Sequence, residues 1–163
     1  MIDIIALCQL LFVLLLLVAA ASDLRYRRIP NLIPALIVLL FIVGWLLGFP
    51  FTGPWWAHGF HFVAALLVGM LLFRFGWFGG GDAKLYAACA LWFSFSDALL
   101  LMFVTTASGA VIVLVRALAI VARSIFGSPG APPDGPRQKR APRTIPYGIA
   151  IAAGGIASLY SVY

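Results

Sequence analysis

Two aspartates carry the chemistry open to this chain. Asp23 stands in A-A-S-D-L-R-Y-R-R-I-P-N, and Asp82 follows three glycines in G-G-G-D-A-K-L. The chain of 163 residues has only 5 acidic side chains, none of them glutamate. Both aspartates lie at the ends of long apolar runs, where a carboxylate is costly to hold. Two carboxylates that face each other can do acid–base work. Like-charge repulsion and partial desolvation raise the pKa of one, so the pair shares a proton near neutral pH. One then takes a proton from an attacking water, while the other, protonated, hydrogen-bonds a scissile carbonyl and supports its oxyanion. No acyl intermediate is needed, and the sequence sets no Ser or Cys nucleophile beside a histidine.

The elements that must position this pair belong to a membrane. The chain is 64% hydrophobic, far above what a soluble domain of this size uses. Its apolar runs are continuous rather than alternating, so the expectation is an all-α polytopic membrane protein, not a barrel. Six spans are read at roughly 3–22, 32–48, 57–74, 83–96, 98–122 and 145–162. The fourth is short for a crossing. A-A-A before Ser22 resembles a small-residue cleavage site, but no basic charge precedes the apolar stretch, so a retained first helix is the reading.

Charge sets the orientation. All 11 basic residues fall on or near one set of connections, and 49–56 and 96–97 hold none. The basic side is therefore read as cytoplasmic, with both termini outside, and the net charge of +6 needs no nucleic acid to explain it. Asp23 and Asp82 come to the same cytoplasmic surface, while His58 and His61 go to the outer end as interfacial polar residues. Trp55 and Trp56 suit the outer aromatic belt. Residues 124–143, rich in Pro and charge, read as a mobile cytoplasmic loop within a single domain spanning 1–163. Cys8 and Cys89 stand singly in apolar runs, so neither a disulfide nor a metal site is expected, and no cofactor is.

The neighbours of the aspartates have two readings each. Gly79, Gly80 and Gly81 permit close backbone approach and unusual dihedrals near Asp82, or they make a plain turn. Lys84 balances charge at the interface, or tunes the pair. Asn31, after the break at Pro30, caps the next helix and presents its side chain near the site. Pro146, Tyr147 and Gly148 start the last span, with Tyr147 either an interfacial anchor or a wall of the site. Other glycines, Gly44, Gly69, Gly154 and Gly155 among them, ease helix packing. From these residues alone, a catalytic pair, an ion or proton path and structural polar contacts all stay open. Carboxylates confined to one surface, with nearly pure apolar spans between, favour surface chemistry over transport.

G-G-G-D at 79–82 matches the G-x-G-D motif of polytopic membrane aspartic proteases. D-L-R-Y-R-R-I-P-N at 23–31 and P-Y-G-I-A-I-A-A-G-G at 146–155 are similar to the corresponding regions of prepilin leader peptidases. The resemblance implies Asp23 and Asp82 as the catalytic positions, with Gly79 and Gly81 as the motif glycines. It implies a type IV prepilin or pseudopilin precursor as substrate, with a basic leader and an apolar helix, cut near their boundary at the inner-membrane surface. Lipids and pilus or secretion components are the other implied partners. The chain lacks cysteine pairs and room for an added cytoplasmic domain between its early spans. It thus looks most like the short members of Flp-pilus and tight-adherence systems (CpaA/TadV type), cleaving without N-methylation. With few acidic residues to attract a basic leader, recognition is expected to rest on backbone contacts, membrane placement and the substrate's apolar helix. A non-catalytic assembly or scaffold protein of the same pathway, and more distantly a small ion-coupled transporter, are the competing functions.

Overall fold

The computed structural model describes residues 3–126 and 147–163, with the side chains of 123–126 set aside. Those residues build an all-α molecule. The helices are α1 (Ile4–Tyr26), α2 (Leu32–Leu46), α3 (Trp55–Arg74), α4 (Gly80–Ala90), α5 (Ala98–Phe126) and α6 (Tyr147–Val162), with a 3-10 turn at Phe95–Asp97. α1, α3 and the stretch Phe95–Ala122 are long and apolar enough to cross a membrane, and α2 and α6 are shorter apolar helices. Large apolar side chains such as Leu10, Leu39, Leu67 and Phe103 stay exposed along them, as a lipid-facing surface allows. α5 reaches Phe126, so 124–126 are helical, and the rest of the expected loop lies outside the described residues.

α6 sits at the centre, and its composition explains why. Gly148, Ala150, Ile151, Ala152, Gly154, Gly155 and Ser158 are buried on it. A methyl at Gly155 would come within 2.8 Å of Leu16 on α1, and one at Gly154 would overlap Thr105 on α5. Without a hydrophobic force between helices in lipid, close backbone approach of this kind is what holds them. α3 and α4 use the same device, for a Cβ at Gly69 would stand 2.9 Å from that of Ala83. α1 is part of this core through Phe12 and Leu16, both fully buried.

α4 has 11 residues and covers only about 16 Å, half of a hydrocarbon core. Its far end continues as an irregular segment, with Trp92 and Phe93 fully buried. Irregular backbone at such depth needs partners, since lipid supplies none. Nδ1 of His58 lies 3.0 Å from Leu91 O, Nδ1 of His61 lies 3.0 Å from Phe93 O, and Tyr163 Oη donates to Trp92 O at 2.8 Å. Nε2 of His58 also lies 2.8 Å from Thr52 O. A carbonyl only accepts, so the rings are the donors; a neutral imidazole has a single N–H, so in that form His58 donates to one of its two carbonyl neighbours.

The histidines are thus buried at 0% and 4% exposure, which corrects their expected place as interfacial residues. They serve the shortness of α4. The aromatic loop at 49–56 divides: Trp55 and Trp56 are exposed, while Phe49 and Phe51 pack on Trp92 at 5.7 and 5.5 Å between ring centroids.

Candidate active site

Asp23 is placed by the way α1 ends. The helix runs three residues past it and stops at Arg27, which adopts the left-handed φ of 54°. The Arg27 N–H donates to Asp23 O at 2.9 Å, and Ser22 Oγ donates to Arg28 O at 2.9 Å. The chain therefore turns back over the end of its own helix, and Pro30 prevents the helix from resuming at once. Asp23 is left 7% exposed, yet its Oδ2 accepts the backbone N–H of Gly148 at 2.8 Å. That amide is in the first turn of α6, where N–H groups have no partner in the helix and the dipole favours an anion. Gly148 has to be glycine for this contact, because a methyl there would fall 2.9 Å from both Cβ and Oδ2 of Asp23.

Asp82 is placed by the way α4 begins. Gly79 is the N-cap in extended conformation and Asp82 is the third residue of the helix. From that position the carboxylate reaches back to the Gly79 N–H, the return half of a capping box. It lies ahead of the apolar run 83–96, at the same end of the bundle as the close of α1. Its carboxyl is pushed up to about 6, first by burial and then by the neighbouring Asp23 charge, against the opposing bond from Gly79. The two aspartates that the sequence singles out are thus brought within electrostatic reach of each other.

The three glycines act through space, not through special dihedrals. Gly79 has φ −77° and the next two open a regular helix, so the expectation of unusual backbone is corrected; positive φ occurs instead at Gly48, Gly53 and Gly76. A methyl at Gly79 would overlap Asp82 Oδ2. One at Gly81 would sit 3.2 Å from Ile29 Cβ, and one at Gly80 3.3 Å from the Phe73 ring. Gly81 thus lets the returning 27–31 segment lie directly on the start of α4. Gly76 closes α3: its N–H donates to Phe73 O at 2.9 Å and the Trp77 N–H donates to Leu72 O at 3.0 Å.

Asn31 does not cap α2 with its side chain. Its Oδ1 accepts from Lys84 Nζ at 3.0 Å, which ties the loop after α1 to the first turn of α4 across exposed surface. Asn31 keeps helical dihedrals, which turn the side chain away from its own helix N-terminus. Tyr147 is half-buried with its ring 5.6 Å from that of Phe78. Pro146 lies outside the described residues. Ile29, Phe78 and Ser22 also shape the site and escaped the sequence reading. Ile29 and Phe78 sat directly beside residues it did single out, the only signal they gave.

Among the described residues no group of three His, Cys, Asp or Glu converges to hold a metal, and Cys8 and Cys89 are both buried and free. The site is two carboxylates, each met by a glycine amide, with that of Asp82 pushed up to about 6 by burial and the Asp23 charge; two carboxylates so placed are able to share a proton.

No curated protein and no solved structure gives a significant match to the chain. A family model does match, over residues 10–114, and that stretch contains both aspartates and all three glycines but not Gly148. The matched region covers well over half of the sequence, and the chain belongs to the type IV leader peptidase family.

Proposed function

We propose that this protein is a membrane aspartic endopeptidase that removes the basic leader of type IV prepilin-like precursors, in the Flp-type branch, without N-methylation. The six helices of the described residues all enter the bilayer in a G-x-G-D protease arrangement, α4 only partway. Asp23 and Asp82 face the cytoplasm, in keeping with the basic residues gathered on that side. The observation that carries the reading is the juxtaposition of the two aspartates, with the Asp23 charge raising the Asp82 carboxyl.

The environments assign the roles. Asp23, fixed by the Gly148 amide, is the carboxylate and accepts a proton from water as its oxygen adds to the scissile carbonyl carbon. Asp82 holds the shared proton and passes it to the carbonyl oxygen as the tetrahedral intermediate forms. On collapse, Asp23 gives its proton to the leaving amine, the carbon–nitrogen bond breaks, and Asp82 recovers its proton from the hydroxyl. The Gly148 bond orients Asp23 before substrate arrives, which is the positioning that such a step needs.

Co-expression with a prepilin-type precursor tests this. Asp23→Asn and Asp82→Asn should each stop leader removal with membrane insertion intact. Normal processing by either variant would end the paired-aspartate account and return the chain to a scaffold role.

A further inference from the structure

An apolar furrow of ≈ 610 Å³ runs along the bundle, and Phe78 and Tyr147 are among the residues that line it. α3 packs mainly on α4, and α5 on α6, and the furrow lies between these pairs. Ala64, Val68 and Leu72 face it from α3, and Met102, Thr106 and Ala110 from α5, each set at helical spacing. Tyr86 and Ile151 form the floor. The α5 wall runs from Ala98 to Val113, about 22 Å of helix and most of a bilayer's apolar depth.

Among the described residues no Asp, Lys or Arg lines the walls. Thr106 Oγ1 donates back to Met102 O at 2.7 Å, which spends its hydroxyl within its own helix. The lips are open, with Val68 57% and Met102 51% exposed, so entry is sideways from lipid. At one end stand Phe78 and Tyr147. Phe78 immediately precedes Gly79, whose amide holds Asp82, and Tyr147 precedes Gly148, whose amide holds Asp23.

The geometry points to this furrow as the seat of the precursor's apolar helix, entering from the bilayer with its N-terminal end at Phe78 and Tyr147. The inference rests on the peptidase reading above and assigns its substrate-binding surface. Three features select a peptide helix over other apolar occupants. The wall, about 22 Å long, matches most of the length of a membrane helix. Small residues at Ala64, Ala110 and Ala150 allow a backbone to come close. Phe78 and Tyr147 also tie the furrow to the glycines that hold the two aspartates, so a helix lying in it with its N-terminal end there brings the bond before its first turn toward them. Substrate selection then comes from the helix, which suits a chain with 5 acidic residues and a basic leader to accept.

The test uses the full-length enzyme in proteoliposomes and a model precursor: a basic leader ending in glycine, then a Leu/Ala helix of about 20 residues. Val68→Trp and Ala110→Trp, which fill the furrow, should raise KM about tenfold with kcat little changed. Leu67→Trp and Val111→Trp, exposed one residue away and outside the furrow, should leave both constants near wild type. In an Asp82→Asn background, Val68→Cys should cross-link to single cysteines placed along the precursor helix every three to four residues, and Leu67→Cys should not. Equal cross-linking from both positions, or an unchanged KM in the filled variants, overturns the inference. So does loss of a co-purifying phospholipid from the tryptophan variants at unchanged KM, which would make the occupant an acyl chain. Cross-linking does not depend on cleavage. Failure of the furrow is therefore read separately from failure of the aspartate pair, which Asp23→Asn and Asp82→Asn report.

Discussion

The backbone amide of Gly148 donates to Oδ2 of Asp23 at 2.8 Å, across 125 residues of sequence. This bond joins the end of the first helix to the start of the last. Asp82 has an amide of its own from Gly79, and its carboxyl is nonetheless raised to about 6, first by burial and then by the Asp23 charge.

Gly148→Ala should therefore cost activity out of proportion to stability. The added methyl would meet Asp23 Cβ and Oδ2 at 2.9 Å, so the carboxylate or α6 must move. A loss of about tenfold or more in kcat is expected, in the range that a displaced catalytic group shows. Gly154→Ala, which would overlap Thr105 rather than Asp23, should instead lower thermal stability while the surviving enzyme keeps its kcat, whatever happens to KM at the furrow that Thr105 lines. Leader-cleavage rates beside melting curves in detergent separate the two, and equal behaviour would deny Gly148 its positioning role.

The pH profile follows from Asp82. Its proton must be present for the step, and its pKa is about 6, so kcat/KM should fall as pH rises through that value, approaching tenfold per unit above it. Raising a carboxylate's pKa favours the protonated folded state. The sign for stability is therefore the same: the ionisation cost is absent at low pH and grows as pH rises from 3.8 to about 6. In Asp23→Asn the like-charge cause disappears, and the Asp82 titration, followed by infrared difference spectroscopy, should move down. An unmoved titration would mean that the two groups do not face each other.

Lys84 and Asn31 should behave as one unit. Lys84→Ala and Asn31→Ala each remove the same exposed bond, so each should change stability by less than about 1 kcal/mol. Each should lower cleavage a few-fold, about twofold to fivefold, by loosening the 27–31 segment over α4. The double variant should be no worse than either single one. Additive losses would show that the two residues act separately.

His58→Ala should destabilise without touching the chemistry. It removes a buried ring whose N–H donates to one of the two carbonyls it meets, Leu91 O or Thr52 O, at a cost of about 1–3 kcal/mol. The far end of α4 would loosen, away from Asp82. A lowered melting temperature with normal kcat is expected. A large fall in kcat at unchanged stability would place the far end of α4 in the catalytic cycle.

Much of this was legible in the chain itself. Continuous apolar runs dictated helices in a membrane, because lipid offers backbone groups no partner. The distribution of basic residues put Asp23 and Asp82 on one surface, and the scarcity of acidic groups singled them out. Spacing alone, however, could not say why the glycines stand at 79–81 or at 148. Their reason is a neighbour's atoms: Asp82 itself, Ile29 and Asp23, which arrive only when helices distant in sequence pack together. The same holds for His58 and His61. Polar residues near a helix end read as interfacial, and only the shortness of α4 turned them inward to its orphaned carbonyls. Residue types and their order thus pointed to the medium, the elements and the two aspartates as the candidate pair. The tertiary structure decided the partners of each polar group, because hydrogen bonds and close contacts depend on distances that a linear pattern does not contain.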